Sequence, residues 1–147
     1  MKRTFLATFL SIIFAMVAVA CHSSDEKEIG YTELPVQAQQ FVKQYFPSAT
    51  YTYVEKDNGK WEYEATLSDG TKIDFNNKGE WKSVDCKFSA LPSGIIPDVI
   101  VADIAQRYPS QQPYKIEKEI GGYEIDIPGY DLYYSSTGKF IRAEIDR

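Results

Sequence analysis

From Tyr51 to Cys86 the chain alternates polar and apolar residues in four short segments, broken at Asp57-Asn58-Gly59, Asp69-Gly70 and Asn77-Lys78-Gly79. Each break offers a residue that tolerates a positive φ, so the run predicts an antiparallel meander of four strands joined by tight hairpins. Just before it, Ala38, Phe41, Val42 and Tyr45 recur at helical spacing between Pro35 and Pro47. Proline suits the first position of a helix and disfavours helical geometry in the residue ahead of it, which predicts a short amphipathic helix leading into the meander.

The pattern then recurs. Leu91-Pro92 echoes Leu34-Pro35, Tyr108-Pro109 echoes Phe46-Pro47, Gly122-Tyr123-Glu124-Ile125 echoes Lys60-Trp61-Glu62-Tyr63, and Gly138-Lys139-Phe140 echoes Gly79-Glu80-Trp81. The expectation is an α+β domain over residues 31–147, a tandem repeat (31–87 and 88–147) of one helix followed by a four-stranded antiparallel meander, with the helices on one face.

Ahead of this domain, Lys2 and Arg3 precede an apolar run from Phe5 to Ala20, the layout of a signal peptide over residues 1–20. The run closes in Ala18-Val19-Ala20-Cys21, which resembles the lipobox of bacterial lipoproteins, although a bulky aliphatic residue is usual where Ala18 stands. That resemblance implies a lipidated Cys21 and a cell-envelope, outer-membrane lipoprotein, periplasmic or surface-exposed. An ordinary secretory peptide would leave Cys21 as a thiol. Residues 21–30 are polar and acidic and read as the anchor and a flexible tether, or as an acidic stretch resembling a surface-export signal. With Cys21 taken, only Cys86 remains, so no disulfide is expected within the mature domain.

A net charge of −5 and the lack of a Lys/Arg cluster outside the leader argue against nucleic acid as a partner. His22 is the only histidine and sits beside the proposed anchor, which leaves no Ser-His pair, Cys-His pair or zinc cluster to build on the domain. Asp57, Asp69 and Asn76-Asn77 are oxygen ligands in principle. Their setting is that of turn residues, and neither a metal nor a cofactor is expected.

Strand side chains alternate between faces, so aligning the two halves sorts them. One face should be buried under Val42, Phe46, Ile100, Ile104 and Tyr108 of the helices. It takes Trp61, Tyr63, Ala65, Ile73, Phe75, Lys82, Val84 and Cys86 from the first half, and Tyr123, Ile125, Ile127, Leu132, Tyr134, Ile141, Ala143 and Ile145 from the second. The other face is expected to present Tyr51, Tyr53, Glu62, Glu64, Asp74, Trp81, Glu124, Asp126, Tyr133, Phe140 and Arg142 as a protein-binding surface, with aromatic anchors set among acids.

A lipoprotein signal followed by two helix-plus-meander units, with the Leu-Pro, aromatic-Pro, Gly-x-aromatic-Glu and Gly-x-aromatic echoes above, resembles the PepSY-like family, similar in fold to the beta-lactamase-inhibitor protein. The resemblance covers Tyr31 to Arg147. It implies two sheets joined into a saddle whose helix-free side grips a partner, and so a non-catalytic, inhibitor-like module that binds an envelope protein or peptide. Two alternatives stay open. One is a carboxylate-dependent hydrolase of an envelope glycan, using Glu62 with Glu64 or Glu124 with Asp126 as acid and base. The other is a sensor holding a small ligand between the halves.

Overall fold

The computed structural model describes residues 25–87 and 89–146. The expected signal peptide, Cys21 and His22 lie outside the described residues. Among the described residues, nine strands form one antiparallel sheet in sequential order. The strands are β1 (Glu26–Glu28), β2 (Tyr51–Asp57), β3 (Glu62–Leu67), β4 (Lys72–Asn76), β5 (Trp81–Asp85), β6 (Lys115–Glu119), β7 (Gly122–Ile127), β8 (Tyr130–Ser135) and β9 (Phe140–Ile145). Helix α1 (Val36–Tyr45) precedes β2, and α2 (Asp98–Arg107) lies between β5 and β6. The order helix, then four strands, therefore occurs in each half.

Both helices follow a proline, Pro35 and Pro97, and both close on an aromatic residue whose N–H donates back into the last turn, Phe46 to Val42 and Tyr108 to Ile104. In the second half Ile96-Pro97, not Leu91-Pro92, stands in the place of Leu34-Pro35. Leu34 and Ile96 are both buried. The first hairpin also departs from expectation, since the positive φ falls on Trp61 and not on Gly59. Trp61 is consequently 66% exposed in the turn and absent from the core.

One cross-strand row carries the core. Val54, Ala65, Ile73, Val84, Ile116, Ile125 and Leu132 are successive register partners across seven strands, and every one is buried. Partners in register share a face. Ala38, Val42, Phe46, Ile100 and Ile104 of the helices join them in a single cluster, so both helices cover the same side.

Three bulges override simple alternation. Where β4 meets β5, Asp74 pairs with Ser83 and Phe75 with Trp81, so Lys82 is extra. Where β8 meets β9, Tyr133 pairs with Arg142 and Tyr134 with Phe140, so Ile141 is extra. Between β2 and β3 the additional residue is Thr52. An inserted residue reverses the facing of everything beyond it. Trp81, Phe140 and Tyr51 therefore lie on the helix side, contrary to expectation. Trp81 packs against Phe41 of α1 with ring centroids 6.1 Å apart, Phe140 lies edge-on to Tyr134 beneath the Arg107 guanidinium, and Tyr51 stacks on Tyr31. Lys82 moves the other way and pairs with Glu62. Ile141 and Ile145, expected in the core, are 58% and 70% exposed, and Ala143 is exposed too.

The expected tether is shorter than its polarity implied. Glu26–Glu28 pairs with β2 although every partner in register carries a like charge: Glu26 faces Asp57, Lys27 faces Lys56 and Glu28 faces Glu55.

Candidate functional site: the helix-free face

Opposite the core row runs a row of another kind. Glu28, Glu55, Glu64, Asp74, Ser83, Glu117, Glu124, Tyr133 and Arg142 are successive register partners from β1 to β9. Like charges set directly opposite destabilise a sheet, by about 0.2–1 kcal/mol per pair. In the adjacent row Lys72, Asp85, Lys115 and Asp126 alternate in sign, before Asp131 and Glu144 add two further acids.

Of the residues expected on this face, Tyr53, Glu62, Glu64, Asp74, Glu124, Asp126, Tyr133 and Arg142 are brought together there. Glu28, Glu55 and Glu117 were missed. Glu55 and Glu117 stand two residues from Tyr53 and Lys115, so alternation could have found them. Their alignment with Glu64 and Glu124 depends on register, which single strands do not display.

Local contacts define what the face can do. Lys72 reaches Glu64 at 2.6 Å, Lys82 pairs with Glu62, and Arg142 joins Glu144 at 2.8 Å while its guanidinium lies 3.6 Å over the Tyr133 ring. Burial, followed by the Glu64 carboxylate, raises Asp74 above the usual carboxylate range. Burial and then the neighbouring Glu124 push Tyr133 up to about 12. Asp126, expected on the open face, is only 8% exposed, with Lys115 at 3.3 Å from one oxygen and no hydrogen-bond partner for Oδ1. Burial pushes it up to about 6 against the attraction of Lys115. It sits in the adjacent row, between Lys115 and the like-charged Asp131 in register.

Cys86 is a buried thiol whose pKa burial raises, which suits packing. The turn carboxylates and amides are engaged with their own backbone: Asp57 accepts from Gly59 and Lys60, Asp69 from Thr71, and Asn76 from Lys78 and Glu80. Among the described residues no group of three or more His, Cys, Asp or Glu is placed to hold a metal ion. No helix among them is long and apolar enough to cross a membrane.

Residues 19–66 and 61–142 match a protein family described as "Putative beta-lactamase-inhibitor-like, PepSY-like". The chain belongs to this PepSY-like family. Solved relatives include a periplasmic protein of the DUF2874 family from Bacteroides vulgatus, 30% identical over 83% of this chain and 98% of that one, with a TM-score of 0.77. A second, from Bacteroides thetaiotaomicron, is described as a "putative calcium-regulated periplasmic protein" and is 32% identical over 82% and 97%, again with a TM-score of 0.77. A third, a periplasmic protein of unknown function from Bacteroides vulgatus, is 29% identical over 81% and 98%, with a TM-score of 0.76. No curated protein sequence matches the chain. The relatives mark this PepSY-like protein as one of the cell envelope.

Proposed function

We propose that this PepSY-like protein is a non-catalytic binding module that takes a cationic segment of an envelope protein or peptide onto its helix-free face. The observation that carries the reading is the acidic cross-strand row. Glu55, Glu64, Asp74, Glu117 and Glu124 occupy positions where like charges face one another or lie a strand apart, at a cost in folding stability. Basic side chains of a partner would relieve that repulsion on binding, and Tyr53 and Tyr133 supply the apolar contact that Trp81 and Phe140 do not. The family's inhibitor-like description fits such a role.

The two halves are read as copies of one unit. Supporting this, the bulges at Lys82 and Ile141 fall at the same point of each half, and the hairpin glycines Gly79 and Gly138 each abut the start of the preceding helix. Joined into a saddle and tethered through a lipidated Cys21, they would display the acidic face at the outer membrane. The calcium regulation in one relative's name is not carried over, because the turn oxygens are already engaged.

A variant with Glu64→Gln, Asp74→Asn, Glu117→Gln and Glu124→Gln should lose capture of partners from envelope extract, and raising the salt should weaken capture by the unsubstituted chain. Equal capture by both chains would remove the acidic row from the account. One observation favours a second reading, the glycan hydrolase: Asp126 has the buried, raised-pKa carboxyl of a general acid. That reading predicts turnover on a glycan panel that Asp126→Asn and Glu124→Gln abolish. A panel without turnover leaves Asp126 structural.

A further inference from the structure

The two edges of the sheet are protected very differently. β1 is three residues long, acidic at both ends and matched to like charges. β9 is six residues long, contains neither proline nor lysine, is guarded only by the bulge at Ile141 and the charges of Arg142 and Glu144, and has no strand on its outer side among the described residues. Its Ile141 and Ile145 are exposed. Natural sheets usually blunt an edge of this length, because its unpaired backbone groups are a template for another strand.

The backbone of β9 points in a definite direction. The Asp146 N–H donates to the Gly129 carbonyl, on the β8 side. Backbone groups of an antiparallel strand turn alternately to one neighbour and the other, so Glu144 and Arg142 also turn toward β8, while Ala143 and Ile145 present theirs outward. A strand added to this edge finds its best register where its own charges complement those of β9.

We propose that the partner for this edge is a second copy of the chain, with β9 pairing antiparallel to β9 about Ala143. In that register Ala143 faces the copy's Ala143 with outward backbone groups on both, Arg142 faces the copy's Glu144, Glu144 faces the copy's Arg142, and Ile145 falls level with Ile141. The sequence Ile-Arg-Ala-Glu-Ile is thus self-complementary when read against itself in reverse. Within one chain Arg142 and Glu144 already share a face, their side chains 2.8 Å apart. For them to meet across the new interface, both helix-free faces must lie on the same side. The two acidic rows then join into one surface twice as wide. The pairing does not depend on what the acidic face binds.

The test is carried out in cells exporting the full chain. The proposed register puts the two Ala143 Cα atoms about 5.5 Å apart, within the roughly 4.4–6.8 Å that a disulfide spans. Ala143→Cys should therefore give a disulfide-linked dimer on a non-reducing gel, beyond any that the unsubstituted chain forms through Cys21, since its Cys86 is buried. Adding Arg142→Glu, which sets carboxylate against carboxylate twice, should cut the dimer about tenfold, and Glu144→Arg should do the same. Neither variant keeps the pair within its own strand, yet co-expressing the two should restore a mixed dimer, because each supplies the charge the other lacks. Co-expressed Ile141→Cys and Ile145→Cys chains check the register independently. No cross-link at either position, a dimer indifferent to Arg142→Glu, or failure of the mixed pair to recover would overturn the proposal.

Discussion

The two faces of this sheet use the same strands to opposite ends. On one, Ala65, Ile73, Val84, Ile116, Ile125 and Leu132 form a fully buried row on which both helices sit. On the other, Glu64, Asp74, Glu117 and Glu124 occupy the neighbouring positions on those same strands and meet like charges in register or a strand apart, with Lys72 and Lys115 reaching Glu64 and Glu117 from the side. Stability therefore resides on the covered side, and the open side draws on it. A face that only had to stay wet would serve as well with alternating signs, as the row through Lys72, Asp85, Lys115 and Asp126 does. The contrast is what makes the acidic row a candidate for function.

The largest effect that would break the contrast concerns Trp81 and Phe140. Both are half-buried against the helix side, so Trp81→Ala or Phe140→Ala should each lower unfolding free energy by about 2–3 kcal/mol, read from the urea midpoint at unchanged slope. A midpoint left in place would return these rings to the open face.

These two residues also mark where sequence reading stops. The hairpins at Gly70 and Gly79, the proline-bounded α1 and the alternating core of β3, β4, β7 and β8 follow from local chemistry, and so does the acidic character of Glu62, Glu64, Glu124 and Asp126. The bulges at Thr52, Lys82 and Ile141 do not, because an extra residue in a strand changes no local propensity while it reverses every facing beyond it. β1 was invisible for a different reason: it buries no side chain and is held by backbone pairing alone. The acidic row escaped because it is a property of register across nine strands.

Next in size is the pH dependence contributed by Asp126. Folding lifts its pKa to about 6, so between about pH 4 and 6 the folded chain holds a proton that the unfolded chain has released. The contribution of Asp126 to stability should therefore rise as the pH falls through that window, by roughly 1–2 kcal/mol. Asp74 and Asp131, also raised by burial, act in the same direction. Thermal melts from pH 7 to pH 4.5 should show the increment in the unsubstituted chain and a smaller one in Asp126→Asn. An identical pH profile in the two chains would mean that Asp126 is as well solvated as its neighbours.

The smallest effect sharpens the contrast from the open side. Glu117→Gln and Glu124→Gln, which face each other in register, should each stabilise the fold, by about 0.2–1 kcal/mol at Glu124 and by less at Glu117, which Lys115 reaches at 3.7 Å, whereas reversing Lys115, which pairs with both Glu117 and Asp126, should destabilise it. Destabilisation by both glutamine variants would make the acidic row part of the structural framework and not a strained surface.

The central claim is that the helix-free face is a docking surface for positive charge. Amide chemical-shift mapping during titration with a short Lys- and Arg-containing peptide tests it most directly. The account predicts salt-sensitive shifts concentrated at Glu55, Glu64, Asp74, Glu117 and Glu124, with the helices unmoved. Shifts confined to α1 and α2, or none at saturating peptide, would contradict it.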